Sequence, residues 1–85
     1  MNDFKKYIEG NQENEVFILD VNYAGNTING NSFYNVTMLY FGIVIKAKTQ
    51  KNSEVNYRIK QFINQFATIK YKYTKTLNMI ITDIK

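Results

Sequence analysis

The sequence predicts an α+β fold: a small single domain spanning residues 1–85, with a curved, mainly antiparallel four-stranded sheet (ββαββ), one amphipathic helix packed on it and a short N-terminal helix. Three observations predict it. β-Branched and aromatic residues alternate with polar ones from Glu15 to Ala47. Val55, Ile59, Phe62, Ile63 and Phe66 then repeat at helical spacing. A second alternating run from Ile69 to Ile81 follows. An incomplete barrel is the alternative arrangement of the same elements.

Taken in order, Asn2 is placed to cap a short helix that carries Phe4, Tyr7 and Ile8 on one side and stops at Gly10. Asn29-Gly30 is a strong hairpin signal, because a type I′ turn needs positive φ at both central positions. A two-residue turn there pairs Leu19 with Tyr40, Val21 with Met38 and Tyr23 with Val36, all on one face. Beyond Tyr40 the apolar alternation changes phase at Gly42, which a β-bulge in one long central strand accounts for. Ser53 is a candidate cap for the main helix, whose polar side would hold Asn56, Lys60, Gln61 and Asn64 in water.

The stretch ATIKYKYTK, residues 67–75, interleaves lysines with tyrosines. In an extended chain alternate side chains point to opposite faces, so Ile69, Tyr71 and Tyr73 face the core while Lys70 and Lys72 face away. A strand from Thr68 to Lys85 is too long for so small a domain. A three-residue loop at Thr74-Lys75-Thr76 would fold it into a hairpin pairing Tyr73 with Leu77 and Tyr71 with Met79.

Composition narrows the function classes. The 85 residues contain no cysteine and no histidine, which removes the thiolate nucleophile, the disulfide and the commonest general base and metal ligand. The carboxylates are scattered and no phosphate-binding glycine loop is present. The expectation is a protein that is not an enzyme, with no catalytic residue, metal or small-molecule cofactor. The apolar run Met38 to Ile45 is too short to span a bilayer and Met1 to Gly10 lacks a signal peptide's apolar core, so a cytoplasmic location away from membranes is expected.

The net charge of +4 is unevenly distributed. Residues 1–20 hold two lysines against five acids, residues 21–45 hold no charge, and residues 46–85 hold nine basic groups against two acids. Lys46, Lys48, Lys51, Arg58, Lys60, Lys70, Lys72 and Lys75 are therefore the candidate contacts for DNA, RNA or an acidic partner. The register from Asn29-Gly30 also sets Ile18 opposite Phe41, with Leu39 beside them, as an apolar patch that the N-terminal helix, a homodimer or a partner protein would cover.

Bias toward Asn, Ile, Lys, Tyr and Phe with no Pro or Trp suggests an AT-rich genome, such as that of a phage or other mobile element. Small size and absent catalytic residue types then favour a non-catalytic binding protein that inhibits by occluding a larger host protein or nucleoprotein complex, in the host cytoplasm. The alternative is a basic nucleic-acid-binding protein that contacts phosphates with little sequence specificity.

Overall fold

Side-chain alternation with a period of two needs a second layer to bury its apolar face, and here the sheet supplies that layer by curling onto itself. The computed structural model describes residues 12–26 and 32–85. These form strands β1 (Gln12–Asn26), β2 (Ser32–Tyr40), β3 (Ile43–Thr49), β4 (Gln65–Tyr73) and β5 (Met79–Ile84). Between β3 and β4 lie a single helical turn, α1 (Val55–Arg58), and a 3-10 turn (Ile59–Phe62). The strands close into a barrel in the order β1-β2-β3-β5-β4, with β4 returning to β1. Every neighbouring pair is antiparallel except β3 with β5, a short parallel junction of Lys48 with Ile80 and Thr49 with Ile81.

The domain is thus a small mixed α and β unit, mostly strand, and the expected four-stranded sheet is corrected to a five-stranded closed one. The difference arises at Phe41-Gly42. Both residues have positive φ, 51° and 77°, so the chain reverses there and Tyr40 pairs with Ile43. A bulge within one strand and a two-residue turn between two strands both shift the parity of the side chains. The phase change at Gly42 therefore marks a hairpin, and Val36 pairs with Ala47 and Met38 with Ile45 across it.

Val16, Ile18, Val36, Met38, Ala47, Ala67, Ile69, Tyr71, Ile81 and Ile84 fill the barrel from all five strands. Ile18 is fully buried there, so its expected place on a surface patch is corrected. Its true partner is Met38, and the extra residue Leu19 forms a bulge before Asp20 pairs with Thr37. That bulge flips the face of everything N-terminal to it, and the register expected from Asn29-Gly30 is corrected as well: Val21 pairs with Val36 and Tyr23 with Tyr34, with a second shift between Tyr23 and Asn26. The N-terminal helix expected over 2–10 and the turn itself lie outside the described residues.

Tyr71 points inward as expected. Its buried hydroxyl accepts from the Asn14 amide at 2.6 Å and lies 3.1 Å from the Tyr40 hydroxyl. Tyr73 packs half-buried against the same core. The β4–β5 connection is a hairpin, but Tyr73 pairs with Met79 and Tyr71 with Ile81, so the loop is longer than three residues and Leu77 is exposed at φ 63°. Thr74 and Asn78 close it in place of glycine: the Thr74 N–H donates to the Asn78 carbonyl at 2.9 Å and the Asn78 N–H to Thr74 Oγ1 at 3.1 Å.

The helical segment is shorter than the apolar spacing predicts. It ends where Ile63 turns extended and Asn64 takes φ 64°, so Phe66 joins β4 and faces solvent instead of the core. Val55 and Ile59 are fully buried, with α1 against β2 and β5 and the 3-10 turn against β1 and β4, so the segment plugs the barrel. Asn56 is buried too, against the expectation that it is solvated. It hydrogen-bonds Thr49 Oγ1, and its amide donates to the Gln50 carbonyl at 3.1 Å and the Ser32 carbonyl at 3.3 Å. Thr49 Oγ1 in turn accepts the Tyr34 N–H at 2.8 Å. One side chain thereby ties the helix to β2 and β3.

Asn56→Ala strands these groups in a dry site and is expected to cost about 1–3 kcal/mol. At about 4–8 °C per kcal/mol for a domain of this size, a thermal melt resolves it; an unchanged midpoint would show that the plug is held by Val55 and Ile59 alone.

Candidate functional site

Cross-strand partners share a face, so register pairs trace rows of side chains around the outside of the barrel. One row runs Lys72, Ile80, Lys48, Asn35, Asn22 across β4, β5, β3, β2 and β1. Lys46 lies one row away beside Thr37, and Phe33 lies on the other side, two residues before Asn35. The Phe33 ring is half-buried with two ammonium groups near it, Lys48 Nζ at 5.7 Å and Lys51 Nζ at 5.9 Å from its centroid. Two adjoining grooves share Lys48. One, of about 430 Å³, is lined by Asn22, Asn35, Lys46 and Asn78; the other, of about 330 Å³, by Phe33, Lys51, Lys72 and Ile80.

Of the eight cations expected to form one footprint, the structure gathers Lys46, Lys48, Lys51 and Lys72 on this face. Lys75 sits in the β4–β5 turn, whose Asn78 borders the first groove. Lys70 is the register partner of Glu13 on β1 and Asp83 on β5, whose carboxylates pair with Lys85 at 3.9 Å and Arg58 at 2.9 Å. Arg58 donates to Glu54 and Asp83, both at 2.9 Å, and is engaged. Lys60 lies apart, 5.1 Å from the Tyr34 ring centroid.

Phe33 was not among the residues expected to function. Its cationic neighbours reach it through the β2–β3 pairing, where the sequence alone predicts one continuous strand. The available signal was local: in SFYN, Phe33 has the parity of Asn35 and Thr37, opposite to Tyr34 and Val36.

A second, apolar row lies toward the other end of the strands. Phe66, Phe17, Leu39 and Val44 are successive register partners on β4, β1, β2 and β3. Phe17 and Phe66 meet edge-to-face at 5.0 Å. Phe41 stands at the hairpin tip above Leu39, 78% exposed, and Glu15 edges the depression between them. Leu39 and Phe41 thus lie on the outer surface as expected, joined by Phe17, Val44 and Phe66 in place of Ile18. A bulky residue in left-handed backbone is disfavoured by roughly 1–2 kcal/mol. The Phe41 ring meets Tyr40 edge-to-face at 4.6 Å and leaves its other side in solvent.

Among the described residues no three His, Cys, Asp or Glu side chains group as metal ligands, and no helix is long and apolar enough to cross a membrane. No protein-family model matches the chain, and no significant match is found among curated proteins or solved structures.

Proposed function

We propose that the protein binds single-stranded nucleic acid across the outer face of β1, β2, β3 and β5, with little sequence specificity. The observation that carries this reading is the Phe33 ring flanked by Lys48 and Lys51. A base stacked on that ring brings its phosphates to the same ammonium groups, the combination on which sequence-tolerant strand binding depends. Lys46 and Lys72 extend the positive surface along the strand's path, and the amides of Asn22, Asn35 and Asn78 offer hydrogen bonds to base edges or phosphates. Unpaired bases are required, because a duplex hides the faces that stack. The barrel's strand order, parallel β3–β5 closure and helix between β3 and β4 also follow the plan of the oligonucleotide/oligosaccharide-binding barrel, whose β2–β3 face holds its ligands. This last support is analogy of fold alone.

Fluorescence anisotropy with labelled oligo(dT) and oligo(U) tests the reading. Four engaged ammonium groups predict a log affinity against log salt slope of about −3, at roughly 0.7 per phosphate. Lys48→Gln makes that slope shallower by about 0.7. Phe33→Ala costs about 1–3 kcal/mol, a loss of about 5- to 150-fold. Affinity indifferent to both salt and Phe33 would refute it.

The apolar row supports a second reading, a protein-binding module that acts by occluding its partner. With Glu15 at its edge, the row fits a partner segment that sets aromatic or aliphatic side chains beside a lysine or arginine. Peptides selected from a random library on the immobilised protein should carry that combination and lose binding to Phe41→Asn. Asn tolerates left-handed backbone, so the same variant should melt no lower than the wild type. Selection of acidic peptides, or of none that depends on Phe41, would contradict the reading.

A further inference from the structure

A third concavity, of about 280 Å³, lies between the start of β2 and α1 and belongs to neither outer row. Three tyrosines and a lysine line it. Tyr23 and Tyr34 meet edge-to-face at 5.5 Å, the Lys60 ammonium stands over Tyr34, and Tyr57 projects from α1 with 78% of its surface exposed. Tyr57 lies on the side of the helical segment away from Val55 and Ile59, so it adds nothing to the core that holds the plug in place. Exposed aromatic faces beside one ammonium suit a planar ring that carries an anion.

The pocket adjoins the basic face through the backbone. Phe33 and Tyr34 are consecutive on β2 and point to opposite sides, one into each site. Lys51 and Asn52 are likewise consecutive, with Lys51 at the Phe33 ring and Asn52 in the pocket. Among the described residues, the Ser32 N–H donates to Asn52 Oδ1 and the Asn52 N–H to the Ser32 carbonyl where the two sites adjoin, each at 3.1 Å.

We infer that the pocket holds a further nucleotide of the strand bound on the basic face, its base against Tyr57 and Tyr23 and its phosphate at Lys60. The inference rests on the nucleic-acid reading above and extends it to a second, aromatic subsite around the end of β2. It gives Lys60 a role apart from the four lysines of the main face.

Anisotropy titrations of labelled oligo(dT), one probe of four nucleotides and one of twelve, on the wild type, Tyr57→Ala and Lys60→Gln test it. Both side chains are exposed, and circular dichroism is the check that the variants fold. The long probe should bind each variant about fivefold or more weakly than the wild type, while the short probe, satisfied at Phe33, binds all three alike. The chain has seven tyrosines and no tryptophan, so the long probe should also quench tyrosine emission more than the short one. Unchanged binding of the long probe to both variants, with Phe33→Ala still weakening it, would overturn the subsite and leave the main face standing. Equal losses for both probes would make the pocket the primary site and overturn its role as an extension. No binding of either probe to the wild type would overturn the subsite and the main face together.

Discussion

Closure of the barrel rests on the parallel junction of β3 with β5, two register pairs long, extended by a 2.8 Å hydrogen bond from the Gln50 N–H to the Ile81 carbonyl. Parallel pairing is slightly weaker per residue than antiparallel, and this seam is the shortest in the barrel. Its two β3 residues face opposite ways. Thr49 points inward, where it is buried and joined to Asn56, so the helical plug is fastened at the seam itself. Lys48 points outward, with Ile80 and then Lys72 as its neighbours across the seam. The same few residues that complete the core therefore bring cations from β3 and β4, distant in sequence, onto one surface.

Once the sheet is closed, no strand has a spare apolar face inside, and whatever the outer face carries is set free from packing. That freedom is used unevenly. Toward the β4–β5 turn the outside is amide and ammonium, with Phe33 set among the cations; toward the β2–β3 turn it is aromatic and aliphatic, with Glu15 at its edge. Asp83 of β5 holds Arg58, while Lys46, Lys48, Lys51 and Lys72 gather on the face around Lys48. The two surfaces are chemically distinct and meet on the same outer face, where the Thr37–Lys46 pair lies next to the Leu39–Val44 pair.

Local patterning was legible in the sequence, and closure was not. The inward tyrosines and outward lysines of β4 follow directly from alternation, and the break at Gly42 was visible as a change of parity. What parity cannot reveal is whether the chain bulges or turns back, because both move the pattern by one residue; the positive φ of Phe41 as well as Gly42 decides for a turn. The helix was legible from Val55, Ile59 and Phe62, but Ile63 and Phe66 continue its spacing past Phe62, where the helical segment ends. Ile18 was misplaced by the Leu19 bulge, which leaves no trace in composition. Phe33 escaped notice because its partners Lys48 and Lys51 are assembled by strand pairing, a long-range event that one residue's neighbours do not encode.

Titration of ¹⁵N-labelled protein with oligo(dT), followed by amide chemical shifts, tests the central assignment most directly. The account predicts the largest shifts at Phe33, Asn35, Lys48 and Lys51, with Phe17, Leu39 and Phe66 unmoved. Shifts centred on the apolar row, or none at any residue at low salt, would contradict it.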